Sequence, residues 1–161
     1  MSPMRALVLV PYLPNAAPGQ RFRIEQWARI LEQRGVEFHV LAFESPALKR
    51  VIYAEGRHIE KVLALAHCVL QQCRRVAALQ RRWDVVFLFR ELLPIGPPLL
   101  ERLLMRKGMP VVYDFDDAIF LTNVSEANRQ FGWLKQPQKV GAICRMSAQV
   151  IVGNSFLRPA I

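Results

Sequence analysis

Asp114, Asp116 and Asp117 stand together in VVYDFDDAIF (111–120), and they are three of the four aspartates in the chain. A close set of carboxylates can hold a divalent cation, supply a nucleophile and an acid, cap a turn, or complement a cationic partner. Carboxylates this near one another raise each other's pKa unless cations compensate. Arg21, Arg23 and Arg90 are the compensating cations this chain offers. Whether they reach the aspartates depends on the elements that carry them.

Those elements alternate. RALVLV (5–10) is aliphatic without alternation, as a strand buried on both faces is. A turn-rich loop follows, and Ile24, Trp27, Ala28 and Leu31 then recur at helical spacing up to Gly35, where a C-terminal cap belongs. VEFHVLAF (36–43) is a second strand. From Arg57 to Arg82, residues Ile59, Val62, Leu63, Ala66, Val69, Leu70, Cys73, Val76 and Ala77 predict one apolar face of a long helix. DVVFLF (84–89) is a third strand, and a helix opening near Pro98 stops at Gly108. PVVYDF (110–115), a helix over 137–147 and QVIVGN (149–154) complete the series.

Five such alternations specify an α/β fold: a Rossmann-like, doubly wound parallel sheet of about five strands with helices on both faces. Sheets of this kind bind ligands beyond the carboxyl ends of their strands. Read along the chain, those ends carry Gly19, Arg21, Arg23, Arg90, Glu91, the three aspartates, Asn154 and Ser155. Alternation along an extended segment gives Asp114 and Asp116 one direction and Asp117 another.

At 161 residues, with 52% hydrophobic and 22% charged residues, the chain has the composition of one globular domain. No apolar run reaches the roughly 20 residues that span a bilayer, and ALVLV is too short for a signal-peptide core, so the expected location is cytoplasmic. Cys68, Cys73 and Cys144 fit neither a disulfide framework nor a zinc site, and His39, His58 and His67 are scattered, so no metal site is expected from them. The net charge of +9 favours anionic partners. Arg74, Arg75, Arg81 and Arg82 read as a solvated helix end or as a basic patch toward an anionic membrane, on its inner face. Only Trp83 lies near them as a stacking platform, which speaks against nucleic acid.

Neither GxGxxG nor GxxxxGK[ST] follows the first strand. Gly19 is a turn residue that can also bring backbone N–H groups toward an anion at a helix start. Asp114-Phe115-Asp116 has the spacing of a DxD metal motif. It also has that of the nucleophile and acid of haloacid-dehalogenase-like phosphatases, but those want Thr or Val where this chain has Ala118, and an earlier strand. A plain turn cap by Asp116 or Asp117 stays open beside these.

Taken in order, PGQRFR at a helix start, DVVFLFRELLPIGPPLLERLL, GMPVVYDFDDAIF and AQVIVGNSFL resemble the N-terminal half of retaining glycosyltransferases of the GT-B fold, group 1 (GT4-like). The resemblance covers essentially the whole chain. It implies that residues 1–161 are the acceptor-side Rossmann-like domain, inactive alone, and that a donor-binding C-terminal domain, absent from this chain, holds the nucleotide-sugar. It implies no cofactor and no metal, and a glycan, lipid-linked or small-molecule acceptor. Many members carry a histidine near the end of the fourth strand, where this chain has its aspartates. On that basis Asp116 and Asp117 are the expected catalytic residues, orienting hydroxyls or stabilising positive charge at the anomeric carbon. Gly19, Arg21, Arg23, Arg90, Glu91, Asp114 and Asn154 are the expected substrate-binding ones. The alternative is a non-catalytic Rossmann-like module that binds an anionic ligand or an acidic membrane surface.

Overall fold

The structure is a computed structural model and describes residues 3–116, 136 and 138–154. Five parallel strands form one sheet in the order β2-β1-β3-β4-β5. They are β1 (Met4–Val10), β2 (Val36–Ala42), β3 (Val85–Phe89), β4 (Val111–Phe115) and β5 (Gln149–Val152). The fold is therefore the α/β, doubly wound one that the alternation specified. The chain steps from β1 outward to β2, then crosses back to β3 on the other side of β1. That reversal opens a crevice between the carboxyl ends of β1 and β3.

Register aligns the ends that matter. Val10 lies opposite Ala42, Leu9 opposite Leu88, Phe89 opposite Asp114, and Phe115 opposite Val152. Side-chain alternation sends each strand's residues to two cores. Leu7, Leu9, Val86, Leu88, Val111, Tyr113 and Phe115 pack with Val76, Leu104 and Ile143 of the helices on one face. Val8, Val10 and Phe89 pack with Ile24 on the other. Asp114 belongs by alternation to that second face, so it points toward the helical segment after β1 and not into the larger core.

That segment comprises α1 (Pro18–Gln20), a π-helical turn (Arg21–Glu25) and α2 (Gln26–Glu32). A π turn holds an extra residue and shifts the phase of everything after it. The apolar spacing that buries Ile24 therefore carries Trp27 outward, and the Trp27 ring is exposed. Gly35 and Gly108 end their helices in left-handed conformations, φ 84° and 74°, as the sequence predicted.

Two further differences concern the crossover from β2 to β3. A helix the sequence reading passed over, α3 (Pro46–Ile52), follows β2, capped by the Ser45 hydroxyl, which accepts from Leu48 N at 3.2 Å. Ser-Pro at N-cap and N1 was the signal. Then α4 (His58–Ala78) presents Cys68, Gln72 and Val76 to the core, while Ile59, Val62, Leu63 and Leu70 face solvent. The predicted apolar face thus splits in two. At 21 residues α4 is about 31 Å long, against about 23 Å for the seven-residue strands. Cys68 already packs on Phe43, one residue past β2, so the first ten residues of α4 overhang the carboxyl edge of the sheet against α3. The remaining helices, α5 (Leu99–Arg106) and α6 (Lys139–Met146), cover β3, β4 and β5 on the larger-core face.

Candidate functional site

Two arginine–aspartate pairs occupy the carboxyl edge, and their surroundings differ. Asp114, 1% exposed, takes both oxygens to Arg23: Nε donates to Oδ1 at 2.9 Å and to Oδ2 at 2.8 Å, and Nη2 also donates to Oδ1. Burial pushes the Asp114 carboxyl above its ordinary range, and the Arg23 hydrogen bonds pull against that. Its hydrogen bond to Asp114 in turn raises the Arg23 guanidinium, which stays charged. A bidentate pair of this kind ties the π turn to β4 and spends the buried Asp114 carboxylate on Arg23.

The second pair is nearer the surface. Arg90 Nε donates to Asp116 Oδ1 at 3.0 Å, and Nη2 lies 2.9 Å from the same oxygen. Arg90 ends β3 with φ 60°, a left-handed backbone that its Cβ disfavours. Its N–H donates to Asp114 O at 2.8 Å, which holds the turn in place. Asp116 is gripped between two glycines. A Cβ on Gly19 would lie 2.2 Å from Asp116 Oδ2, and one on Gly153 would lie 3.0 Å from Asp116 O. The group set against Gly19 at the helix start is therefore the protein's own carboxylate.

The loop after β1 is held from below by side chains. Gln20, fully buried, accepts from Tyr12 N at 3.1 Å and returns its amide to Tyr12 O at 3.0 Å and Glu25 Oε1 at 2.9 Å. Glu25 accepts from Asn15 N, and Glu44 accepts from Leu13 N at 3.2 Å. These backbone donors are thus spent inside the loop. The loop after β3 is pinned as firmly. Leu92 N donates to Glu101 Oε1 at 3.0 Å, and the buried Lys139 donates to Leu93 O at 2.6 Å. Lys139 also lies 3.3 Å from Glu91. Burial raises the Glu101 carboxyl above its ordinary value.

Between the two loops lies a cleft of about 310 Å³, lined by Tyr12, Gly19, Glu44, Lys49, Tyr53, Phe89 and Arg90 among others. It sits at the crevice that the strand order creates. It offers the Glu44 carboxylate, the cations Lys49 and Arg90, and aromatic faces within one small volume.

The expected site residues thus divide. Gly19 and Arg90 line the cleft, and Asp116 stands beside it in contact with both, with Gly153 as a further neighbour the sequence reading did not single out. Arg23 and Asp114 join beside them as a bidentate pair. Glu91 turns to Lys139, beneath the loop. Arg21 is exposed, its guanidinium 5.3 Å from the ring of its neighbour Phe22. Asn154 is exposed just past β5. Asp117 and Ser155 lie outside the described residues. Tyr12, Glu44, Lys49 and Tyr53 were not singled out. The last two ride on and just after α3, so missing that helix hid them.

No known family model matches the chain, and no curated protein does either.

Proposed function

We propose that the carboxyl edge is the acceptor side of a glycosyl-transfer site. The observation that carries this reading is the pairing of Asp116 with a strained Arg90 beside a cleft that mixes the Glu44 carboxylate, two cations and aromatic rings. A hydroxyl-rich acceptor needs that mixture. Each hydroxyl both donates and accepts, so Glu44 and Asp116 accept from it while Lys49 and Arg90 donate to it. Tyr12, Tyr53 and Phe89 give the apolar face of a sugar ring a surface to lie on. The order of the RELLP, DFDDAIF and VIVGN segments, which resembles GT-B glycosyltransferases, points the same way.

In this reading Asp116 orients an acceptor hydroxyl or stabilises positive charge developing at the anomeric carbon. Arg90 holds the Asp116 carboxylate in place through its guanidinium. Arg23 and Asp114 anchor the helix that carries Gly19, and so fix the slot into which the Asp116 carboxylate fits. The nucleotide-sugar would be bound by a donor domain outside this chain.

A second reading has its own observation: Lys49 and Arg90 both line the cleft, which suits a small anion held by a non-catalytic module. Titration of the isotope-labelled chain separates the two. Glycosyl transfer predicts that a saccharide such as maltose shifts the amide resonances of Tyr12, Lys49, Tyr53 and Arg90, with inorganic phosphate weaker at the same positions. Saturable phosphate binding with no response to any saccharide would favour the anion module.

A further inference from the structure

α4 is apolar on the side that faces away from the protein. Ile59 is 77% exposed, and Val62 and Leu63 are 64% exposed each. Ala66 and Leu70 continue the stripe along the same side, while Cys68, Gln72 and Val76 serve the core. Tyr53, at the C-terminal end of α3, is 85% exposed next to the overhanging start of α4. A run of outward Ile, Val, Leu and Tyr side chains at helical spacing marks a surface with an occupant.

Charge says which occupant. Residues 49–82 hold eight Lys and Arg against Glu55 and Glu60, so this fifth of the sequence carries +6 of the chain's +9. Lys49 and Arg50 of α3 are exposed beside Tyr53, Arg57 is exposed at the start of α4, and Arg74 lies one turn beyond Leu70. Two copies of this face set against each other would bring like charges together. An anionic surface meets both features at once. Aliphatic side chains enter the headgroup region, the tyrosine sits at its boundary, and the basic residues face lipid phosphates. Among the described residues no helix is long and apolar enough to cross a membrane, so the contact lies in the plane of the surface.

We propose that the outward face of α4, with Tyr53, docks on an anionic lipid bilayer. This goes beyond the glycosyl-transfer reading and does not depend on it. The two meet at Tyr53, which belongs to both the apolar stripe and the cleft, so a ligand borne on lipid would arrive at the cleft mouth.

The test is flotation of the chain with vesicles of phosphatidylcholine, with and without phosphatidylglycerol, at low and high salt. Wild type should float with the anionic vesicles, not with the neutral ones, and should be released by high salt. Val62→Asp with Leu63→Asp, both at exposed positions, should keep the circular dichroism spectrum and lose at least tenfold in binding. Arg50→Glu with Arg57→Glu should lose a similar factor, since each basic residue near such a surface contributes roughly fivefold. Flotation of either double variant at the wild-type level would overturn the proposal. So would absence of wild-type flotation. A wild-type dimer that Val62→Asp with Leu63→Asp disperses, without vesicle binding, would assign the face to a second copy instead.

Discussion

Arg90 carries two opposing contributions that substitution can separate. Its backbone is left-handed at φ 60°, and a Cβ there costs roughly 1–2 kcal/mol relative to glycine. Glycine gives back roughly 0.5–1 kcal/mol of that through its freer unfolded chain. Arg90→Gly should therefore be about 0.5–1 kcal/mol more stable than Arg90→Ala, because both lose the Asp116 pair and only one keeps the strain. In a domain of this size that difference appears as about 1–4 °C in Tm, measurable by calorimetry or urea unfolding of the two variants in parallel. Both should bind saccharide at least tenfold more weakly than wild type, since a charge-assisted hydrogen bond contributes about 1.5–3 kcal/mol. The more stable variant would then be as poor a binder as the less stable one. Equal stability of the two would show that the left-handed turn is not the conformation in solution. Undiminished binding by both would remove Arg90 from the site.

Asp114→Asn leaves the partly exposed Arg23 guanidinium with a neutral partner, and should cost about 1–2 kcal/mol in urea unfolding; Asp114→Leu with Arg23→Met should recover most of it. Gly19→Ala puts a methyl where Asp116 Oδ2 now lies; with overpacking costs of about 1 kcal/mol upward, a modest loss of Tm and a larger loss of saccharide affinity are expected. Glu101, whose folded-state carboxyl is raised by burial, binds its proton more tightly folded than unfolded. Stability thus falls as pH rises from its ordinary value of 4.5 toward the raised value. Glu101→Gln, which can still accept from Leu92 N, should abolish that decline, so the variant gains on wild type above this window and matches it below; parallel pH-resolved melts check this.

The sheet was legible because each of its strands is a short aliphatic run bounded by turn residues, and parallel order follows from the helices between them. Boundaries of β1 to β4 differ from the expected ones by a residue at most, and β5 stops two residues early, at Val152. The edge position of Arg90 and Asp116 followed from the same pattern. Their pairing did not, because left-handed arginine has no signature in sequence, and the fit of Asp116 depends on Gly19 and Gly153 each approaching it from a distant part of the chain. Trp27 and the outward face of α4 escaped for related reasons. Periodicity locates an apolar stripe but not what it faces, and neither a π turn nor a helix longer than its sheet announces itself in spacing alone. Lys139 shows the same limit from the other side. Nothing in its sequence surroundings marks it for burial, yet it is buried where Leu93 O and Glu91 meet it.

Steady-state transfer from a panel of nucleotide-sugars by the complete gene product, wild type against Asp116→Asn, tests the central claim most directly. Asn keeps the side chain's shape against Gly19 but removes the charge, so folding should be little affected. If Asp116 acts on charge formed only in the transition state, kcat and kcat/KM should fall together, and EDTA should leave the wild-type rate unchanged. Inhibition by EDTA restored by Mn²⁺ would turn Asp114 and Asp116 into a metal motif. Absence of turnover with every donor, or wild-type turnover in the Asn variant, would contradict the assignment of this edge to glycosyl transfer by Asp116.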